Sequence, residues 1–232
     1  MANWYIGMAE EAIRQRVVDT AVSLLGIKEG SAEHKRIIDA YNSKLPKLPR
    51  GYAMTYTAAW CAATMTYIGI VLGITDIILP ECSCSAMIEL YKRKGRWMEN
   101  DAYVPKPGDL VMYDWDAKKG ECTGAPDHVG MVVSVDGKNI KVVEGNYDNQ
   151  VKERTICVEY VKTRGFCLPD YGSLVGGFSD VPAGAWCADE IYRAAELGLM
   201  VGVGDGKFEP ERPVTRGELA AVAVRLAEKM GK

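Results

Sequence analysis

Residues 127–146 read DHVGMVVSVDGKNIKVVEGN, and this stretch decides the fold of the region around it. It contains two runs rich in β-branched residues, Val129–Val135 and Ile140–Val143, separated by the dipeptide Asp136-Gly137. Asp-Gly between two such runs favours a tight two-residue turn. The stretch therefore predicts a β-hairpin.

The hairpin extends to an antiparallel meander, because two further β-type runs lie at residues 109–113 and about 151–161. The hundred residues before the meander have apolar side chains at spacings of three and four, which is typical of helices. Four helices are expected there: Met8–Leu25, Ser31 to about Asn42, one that begins near Thr57, and about Ser85–Lys94. Helices followed by an antiparallel meander predict an α+β domain.

The chain length indicates one main domain and a small appendage. We expect the α+β domain to span residues 1–168, because Pro, Gly and Ser residues are frequent in a linker over 169–177. A small module should follow over 178–232, with helices at about Ala185–Leu197 and Thr215–Lys229.

The composition excludes several classes of protein. Hydrophobic residues make up 48% of the chain and charged residues 25%, which is ordinary for a soluble globular protein. The formal net charge of −3 gives no basic surface, so nucleic acid is not an expected partner. The apolar stretch around Ile68–Ile74 is much shorter than the roughly 18 residues that cross a bilayer, and no membrane insertion is expected. Met1–Glu11 lacks the features of a signal peptide, which predicts synthesis in the cytoplasm without classical secretion.

The cysteines and histidines predict neither a metal site nor a cofactor. Cys82-Ser83-Cys84 could be half of a zinc site, but no second cysteine or histidine pair stands at ligand spacing. The two histidines of the chain are His34 and His128, and His34 lies between charged residues of a predicted helix. We interpret His34 as a surface or satisfied core residue.

Cys61 is a candidate nucleophile. It stands near the start of a predicted helix, where unpaired backbone N–H groups and the helix dipole favour the thiolate. The thiolate is the form that attacks a carbonyl carbon. The alternative is that Cys61 is one more buried apolar residue, as most structural thiols are.

His128 and the end of the next strand could complete a catalytic group. A histidine at the mouth of a strand can reach a helix start that packs on the sheet, and an imidazole can take up the thiol proton. Strand alternation places Glu144 and Asn146 on one face, and either of them could orient the imidazole. Alternatively, these polar residues only end a hairpin.

Four motifs together resemble the cysteine, histidine-dependent amidohydrolase/peptidase (CHAP) family, which has a papain-like fold. They are Trp60–Ala63, Pro107–Val111, Asp127–Val132 and Glu144–Asn146, and the resemblance covers roughly residues 5–168. It implies Cys61 as the nucleophile and His128 as the general base and acid, with Glu144 and Asn146 completing the site. Several phage lysins of this family hold calcium in an aspartate-rich loop before the cysteine. Residues 50–59 of this chain contain no carboxylate, so no calcium site is expected.

The tail resembles the S-layer homology (SLH) modules, which bind anionic secondary polymers of bacterial cell walls. The motifs are Phe178–Pro182, Ala194–Gly198, Gly204–Pro210 and Val214–Leu219. Gly217 stands where the family commonly has alanine. The resemblance implies polymer binding, for which the candidates are Trp186, Thr215, Arg216 and Glu218.

The two resemblances together predict a phage endolysin that cuts peptidoglycan. It would hydrolyse an amide bond by cysteine-nucleophile acyl transfer, as an N-acetylmuramoyl-L-alanine amidase or as an endopeptidase, and act at the wall after release. The alternatives are a non-catalytic wall-binding protein and an amidase of a small soluble substrate. SLH modules usually occur in threes and pack on one another, so the single module here also predicts a possible homo-oligomer.

Overall fold

The computed structural model describes residues 4–5, 8–100, 102–118, 124–175, 177–182, 184–204 and 206–230. The described chain divides into two compact units. The larger unit comprises residues 14–170, and the smaller unit combines the described residues up to Ile13 with those from Tyr171 onward. The division after Asp170 falls inside the expected linker.

Four helices precede the sheet: α1 (Glu10–Val22), α2 (Ala32–Lys44), α3 (Cys61–Leu72) and α4 (Cys84–Arg93). Ser31, where the sequence predicted the start of the second helix, caps α2: its hydroxyl accepts a hydrogen bond from the His34 N–H. A short 3₁₀ turn, Pro49–Gly51, lies between α2 and α3. Helix α3 is buried along most of its length and packs on strand β3 of the sheet (His128–Asp136).

The sheet has six strands in the order β1-β6-β2-β3-β4-β5, and all neighbours are antiparallel. The strands are β1 (Trp97–Met98), β2 (Leu110–Tyr113), β3 (His128–Asp136), β4 (Asn139–Glu144), β5 (Lys152–Cys157) and β6 (Thr163–Cys167). Strands β2 to β5 form the predicted meander, and the α+β class is confirmed. The run expected over 151–161 ends at Cys157, and β6 then returns to the other edge of β2.

Strands β1 and β6 were not predicted. Strand β1 has two residues, which is too short to show alternation. Strand β6 contains Gly165, a residue that weakens a strand signal. The glycine is required there, because its φ is 145° and a Cβ would lie 2.5 Å from the Trp97 ring.

The smaller unit contains the 3₁₀ turn Tyr171–Leu174 and two helices, α5 (Ala188–Glu196) and α6 (Arg216–Met230). Its core consists of Phe178, Val181, Ala188, Ile191 and Ala195. No side chain of α6 is buried. Several large apolar residues of this helix are exposed: Leu219, Val224, Leu226 and Met230. None of the helices in the described part of the chain is both long enough and apolar enough to cross a membrane.

Candidate active site

Cys61 is the first residue of α3, which begins about four residues later than the sequence predicted. The sulfur accepts a hydrogen bond from the Ala62 N–H, one of the donors that a helix start leaves unpaired. The preceding residue, Trp60, is fully buried, and its Nε1 donates to Oε2 of Glu29 at 3.1 Å. The Glu29 N–H in turn donates to the Asn149 carbonyl at 2.8 Å. These contacts connect the start of α3 to the loop between β4 and β5.

His128 is the first residue of β3 and is buried. Gly130 pairs with Glu144 of β4, so His128 and Glu144 are diagonal neighbours on one face of the sheet. The His128 Nε2 lies 3.2 Å from Oε2 of Glu144. A Cβ at position 130 would lie 2.7 Å from Cγ of Glu144, so this glycine leaves the space that the glutamate side chain occupies.

Cys61 and His128 interact, and each stabilises the charge of the other. Hydrogen bonds from Cys84 and His128, together with the imidazolium charge, hold the pKa of Cys61 well below its usual range although burial opposes this. Burial lowers the pKa of His128, but its contacts with Cys61 and Glu144 outweigh burial and raise the pKa to about 9. The resulting thiolate–imidazolium pair is a nucleophile with a general acid beside it.

The carboxylate of Glu144 is fully buried and held from two sides. Burial alone would raise the pKa of Glu144, but hydrogen bonds from His128 and Arg154 lower it. Arg154 of β5 donates from Nε to Oε1 of Glu144 at 2.7 Å, and its guanidinium lies 4.1 Å from the centre of the Tyr147 ring. Arg154 pairs with Val142, which makes it the diagonal neighbour of Glu144 on the β5 side. Sequence reasoning missed Arg154, because this contact depends on the β4–β5 register.

Asn146 does not continue the row of β4. The strand ends at Glu144, and Asn146 has a φ of 56°, so the alternation assumed from the sequence stops before this residue. Gly145 lies against α3, where a Cβ would be 2.0 Å from Oγ1 of Thr64. The Asn146 Oδ1 is buried and accepts no hydrogen bond from any residue that the structure describes. The structure thus brings Cys61, His128 and Glu144 together and leaves Asn146 without a hydrogen bond at that oxygen.

A second thiol lies next to Cys61. The Sγ atoms of Cys84 and Cys61 are 3.7 Å apart, and both residues are buried. Cys84 is the first residue of α4, which is capped by the Ser83 hydroxyl, an acceptor from the Ala86 N–H. Oε1 of Glu81 accepts from the N–H of Ser83 at 3.2 Å and from Nη2 of Arg50 at 2.8 Å. The sequence singled out Cys84 only as half of a possible zinc site, and its contact with Cys61 was missed.

The other cysteines and His34 lie outside this group. The six cysteines in the described ranges form no disulfide, and Cys122 lies outside those ranges. Within the same ranges, no group of three or more His, Cys, Asp and Glu side chains is arranged to hold a metal ion. His34 is buried, its ring centre lies 4.7 Å from that of Trp60, and its Nδ1 accepts a hydrogen bond from the Gly30 N–H at 3.1 Å. Its Nε2 has no hydrogen-bond partner in the described chain.

Two of the four candidate polymer-binding residues are engaged locally at the start of α6. Thr215 and Glu218 form a capping box, in which the Glu218 N–H donates to Oγ1 of Thr215 and the Thr215 N–H donates to Oε2 of Glu218. Trp186 is 87% exposed. Arg216 is exposed and forms no ion pair or hydrogen bond with the described residues, so its guanidinium is open to an anionic ligand.

Comparisons with known proteins agree with both resemblances. Residues 49–146 match the model of the CHAP domain, a family of cysteine- and histidine-dependent amidohydrolases and peptidases. Residues 177–220 match the model of the S-layer homology domain. Over 55 residues, the chain is 38% identical to a cellulosome-anchoring protein of Acetivibrio thermocellus. The match covers 24% of this chain and 12% of that protein.

Among solved structures, the chain is similar to one described as the crystal structure of Ly7917 with the hydrolyzing product of MDP. The TM-score is 0.33 and the identity 15%, over 59% of this chain and 62% of the other. The two family models, CHAP over residues 49–146 and S-layer homology over residues 177–220, are those that the sequence motifs predicted.

Proposed function

We propose that the protein is a peptidoglycan hydrolase that cuts an amide bond through a cysteine nucleophile. The electrostatic interaction of Cys61 with His128, which is itself hydrogen-bonded to Glu144, carries the proposal. It supplies a thiolate, a proton donor and an orienting carboxylate in one buried group. A wall-binding type of module in the same chain favours peptidoglycan over a small soluble amide as the substrate.

The mechanism follows from this geometry. The Cys61 thiolate attacks the amide carbon, and backbone N–H groups at the start of α3 stabilise the oxyanion. His128 gives its proton to the leaving amine, which leaves an acyl-enzyme. The neutral imidazole then takes a proton from water, and the hydroxide releases the acyl group. Glu144 orients the imidazole through its Nε2, and Arg154 keeps Glu144 ionised and in place.

Mass spectrometry of purified peptidoglycan after digestion tests the proposal. An N-acetylmuramoyl-L-alanine amidase releases whole stem peptides with a new alanine amino terminus, whereas an endopeptidase leaves shortened stems on the glycan. Both products must be absent with Cys61→Ala, which removes the sulfur and little volume. A Cys61→Ala protein that cleared walls at the wild-type rate would exclude the thiol mechanism. A folded wild-type protein that released no peptide would indicate a non-catalytic wall-binding protein.

We also propose that the smaller unit binds an anionic secondary polymer of the wall and so holds the enzyme at its substrate. The match to part of a cellulosome-anchoring protein and the open guanidinium of Arg216 support this. The expected result is that Arg216→Gln weakens sedimentation with purified walls and leaves the cleavage of soluble wall fragments unchanged. On this proposal the site of action is the bacterial cell wall, as expected for an endolysin.

A further inference from the structure

Cys84, at the start of α4, places a second sulfur next to that of Cys61. Cys61 and Cys84 are 23 positions apart in the chain, yet their sulfurs are 3.7 Å apart. Each is the first residue of a helix, where the helix dipole favours negative charge. The acyl-transfer mechanism uses the sulfur of Cys61 as the nucleophile, and the thiol of Cys84 enters it only by stabilising that thiolate.

We propose that Cys61 and Cys84 form a reversible oxidation site, at which a peroxide converts the nucleophile into a Cys61–Cys84 disulfide. Its consequence for activity rests on the proposed hydrolase function, because a disulfide removes the nucleophile from acyl transfer. The formation of the disulfide itself depends only on the two sulfurs.

The reaction has two steps. The Cys61 thiolate attacks one oxygen of the peroxide, the O–O bond breaks, and the leaving hydroxide takes the proton of the His128 imidazolium to become water. Cys61 is then a sulfenic acid. The sulfur of Cys84 attacks that of Cys61, the S–OH bond breaks, and water leaves with the Cys84 proton. Two thiols lose two electrons in total, and one peroxide is reduced to two waters.

The environment of each sulfur suits its step. Cys61 carries the thiolate, which is the form that peroxide oxidises. The hydrogen bond to Cys61, together with burial, keeps the pKa of Cys84 well above its usual range, so its thiol is protonated in the reduced protein. Oxidation of Cys61 removes that negative charge, and the N-terminus of α4 then favours the Cys84 thiolate. The sulfurs need to approach by roughly 1.7 Å to reach the S–S bond length of about 2.05 Å.

Cys82 is nearby in sequence but its sulfur has other partners. It accepts hydrogen bonds from the Tyr41 hydroxyl at 3.3 Å and from Arg50 Nη2 at 3.6 Å. Cys84 is therefore the thiol that is placed to resolve an oxidised Cys61.

Peptide mapping of the full-length wild-type chain tests the proposal without any assay of lysis. After brief treatment with hydrogen peroxide, a non-reducing digest is expected to contain one peptide pair that links Cys61 to Cys84, with a loss of two hydrogens. Labelling of Cys61 by iodoacetamide should fall at least tenfold and return after dithiothreitol. In Cys84→Ser and Cys84→Ala, dimedone should trap the sulfenic acid of Cys61, and further peroxide should make the loss of labelling irreversible. Cys157→Ser, which removes an exposed thiol of β5, is the matched control and should behave like the wild type.

The opposite results would overturn the proposal. They are a dimedone adduct on wild-type Cys61 in the same yield as in Cys84→Ser, or a linked peptide that joins Cys61 to a different cysteine. If the linked peptide forms but neither the reduced nor the oxidised protein digests peptidoglycan, the hydrolase function fails and the oxidation site stands. If digestion occurs and is lost irreversibly on oxidation, the function stands and the oxidation site fails.

Discussion

The protonation states of Cys61 and His128 determine the pH range in which the site can react. The contacts of His128 with Cys61 and Glu144 raise the pKa of its imidazole to about 9, so the imidazolium persists through neutral pH. The pKa of Cys61 lies well below its usual range, so the thiolate persists over the same range. Both charged groups are therefore present together on the acidic side of pH 9.

This pair predicts a distinct pH profile. Alkylation of Cys61 by iodoacetamide should reach its plateau well below the pH of about 8.5 at which an ordinary thiol is half ionised. The kcat/KM for wall cleavage should fall above about pH 9, because His128 then loses the proton that the leaving amine needs. The exposed Cys157 is an internal reference for the labelling. A plateau for Cys61 that is reached only above the usual ionisation range of a thiol would contradict the ion pair.

The two polar residues at the end of β4 should contribute unequally. Glu144→Gln removes the carboxylate that contacts His128 and should lower kcat/KM by between about tenfold and about 10⁴-fold, the larger value being that of a triad carboxylate. The fall of kcat/KM at high pH should also begin at a lower pH, because the carboxylate no longer raises the pKa of His128. Asn146→Ala should leave the pH of this fall unchanged, because Oδ1 of Asn146 accepts no hydrogen bond from the described residues. Glu153→Gln on β5 is the control for the loss of a carboxylate. If Asn146→Ala shifted the fall of kcat/KM as much as Glu144→Gln does, the assignment of Glu144 as the residue that orients His128 would be wrong.

At the scale of secondary-structure elements, the β3–β4 pairing places His128 and Glu144 next to each other. Gly130 of β3 pairs with Glu144 of β4. A Cβ at position 130 would lie 2.4 Å from Cγ1 of Val142 and 2.7 Å from Cγ of Glu144. Only a residue without a side chain allows Glu144 to lie over this position. The glycine of the motif Asp127–Val132 therefore has a packing role that bears directly on the site.

Gly130→Ala should therefore reduce activity more than it reduces stability. The added methyl group displaces the Glu144 side chain, while overpacking of this kind costs about 1–3 kcal/mol of unfolding free energy. We expect loss of wall cleavage with a folded protein by circular dichroism and a moderately lower Tm. Gly184→Ala is the control, because a Cβ there meets nothing within 4 Å. Full activity in Gly130→Ala would show that Glu144 does not need its observed position.

At the scale of the whole molecule, the exposed apolar side chains of α6 remain to be covered. The helix has no buried residue, and Leu219, Val224 and Leu226 face solvent. Burying a leucine side chain contributes about 1.5–3 kcal/mol, so association through this helix would stabilise the small unit. Several modules held together would also join weak polymer sites into one avid binder.

Light scattering should show a homo-oligomer, with three chains as the expected number, for the full-length protein and a monomer for a chain that ends at Asp170. Leu219→Glu should dissociate the oligomer, because it places a charge at the apolar surface. The helix would remain intact, and circular dichroism checks this. Monomers for both the full-length and the shortened chain would exclude association through α6.

Local patterns in the sequence determined most of the fold. The turn Asp136-Gly137 and the runs beside it predicted β3 and β4, and Ser31 predicted the start of α2, because turn and cap preferences act over a few residues. The motifs at Cys61 and His128 predicted the match to the CHAP domain, because each motif is a short continuous segment that can be recognised without the tertiary structure. The order of the motifs sufficed to name the family and the expected nucleophile.

The tertiary structure alone decided which side chains surround that nucleophile. Glu144, rather than Asn146, contacts His128 because β4 ends at Glu144 and the chain turns into a left-handed conformation. Arg154 reaches Glu144 through the β4–β5 register, and Cys84 reaches Cys61 because two helix starts pack together. A one-residue change in register moves a side chain to the opposite face of a sheet. Contacts between distant segments therefore depend on packing that no local pattern specifies.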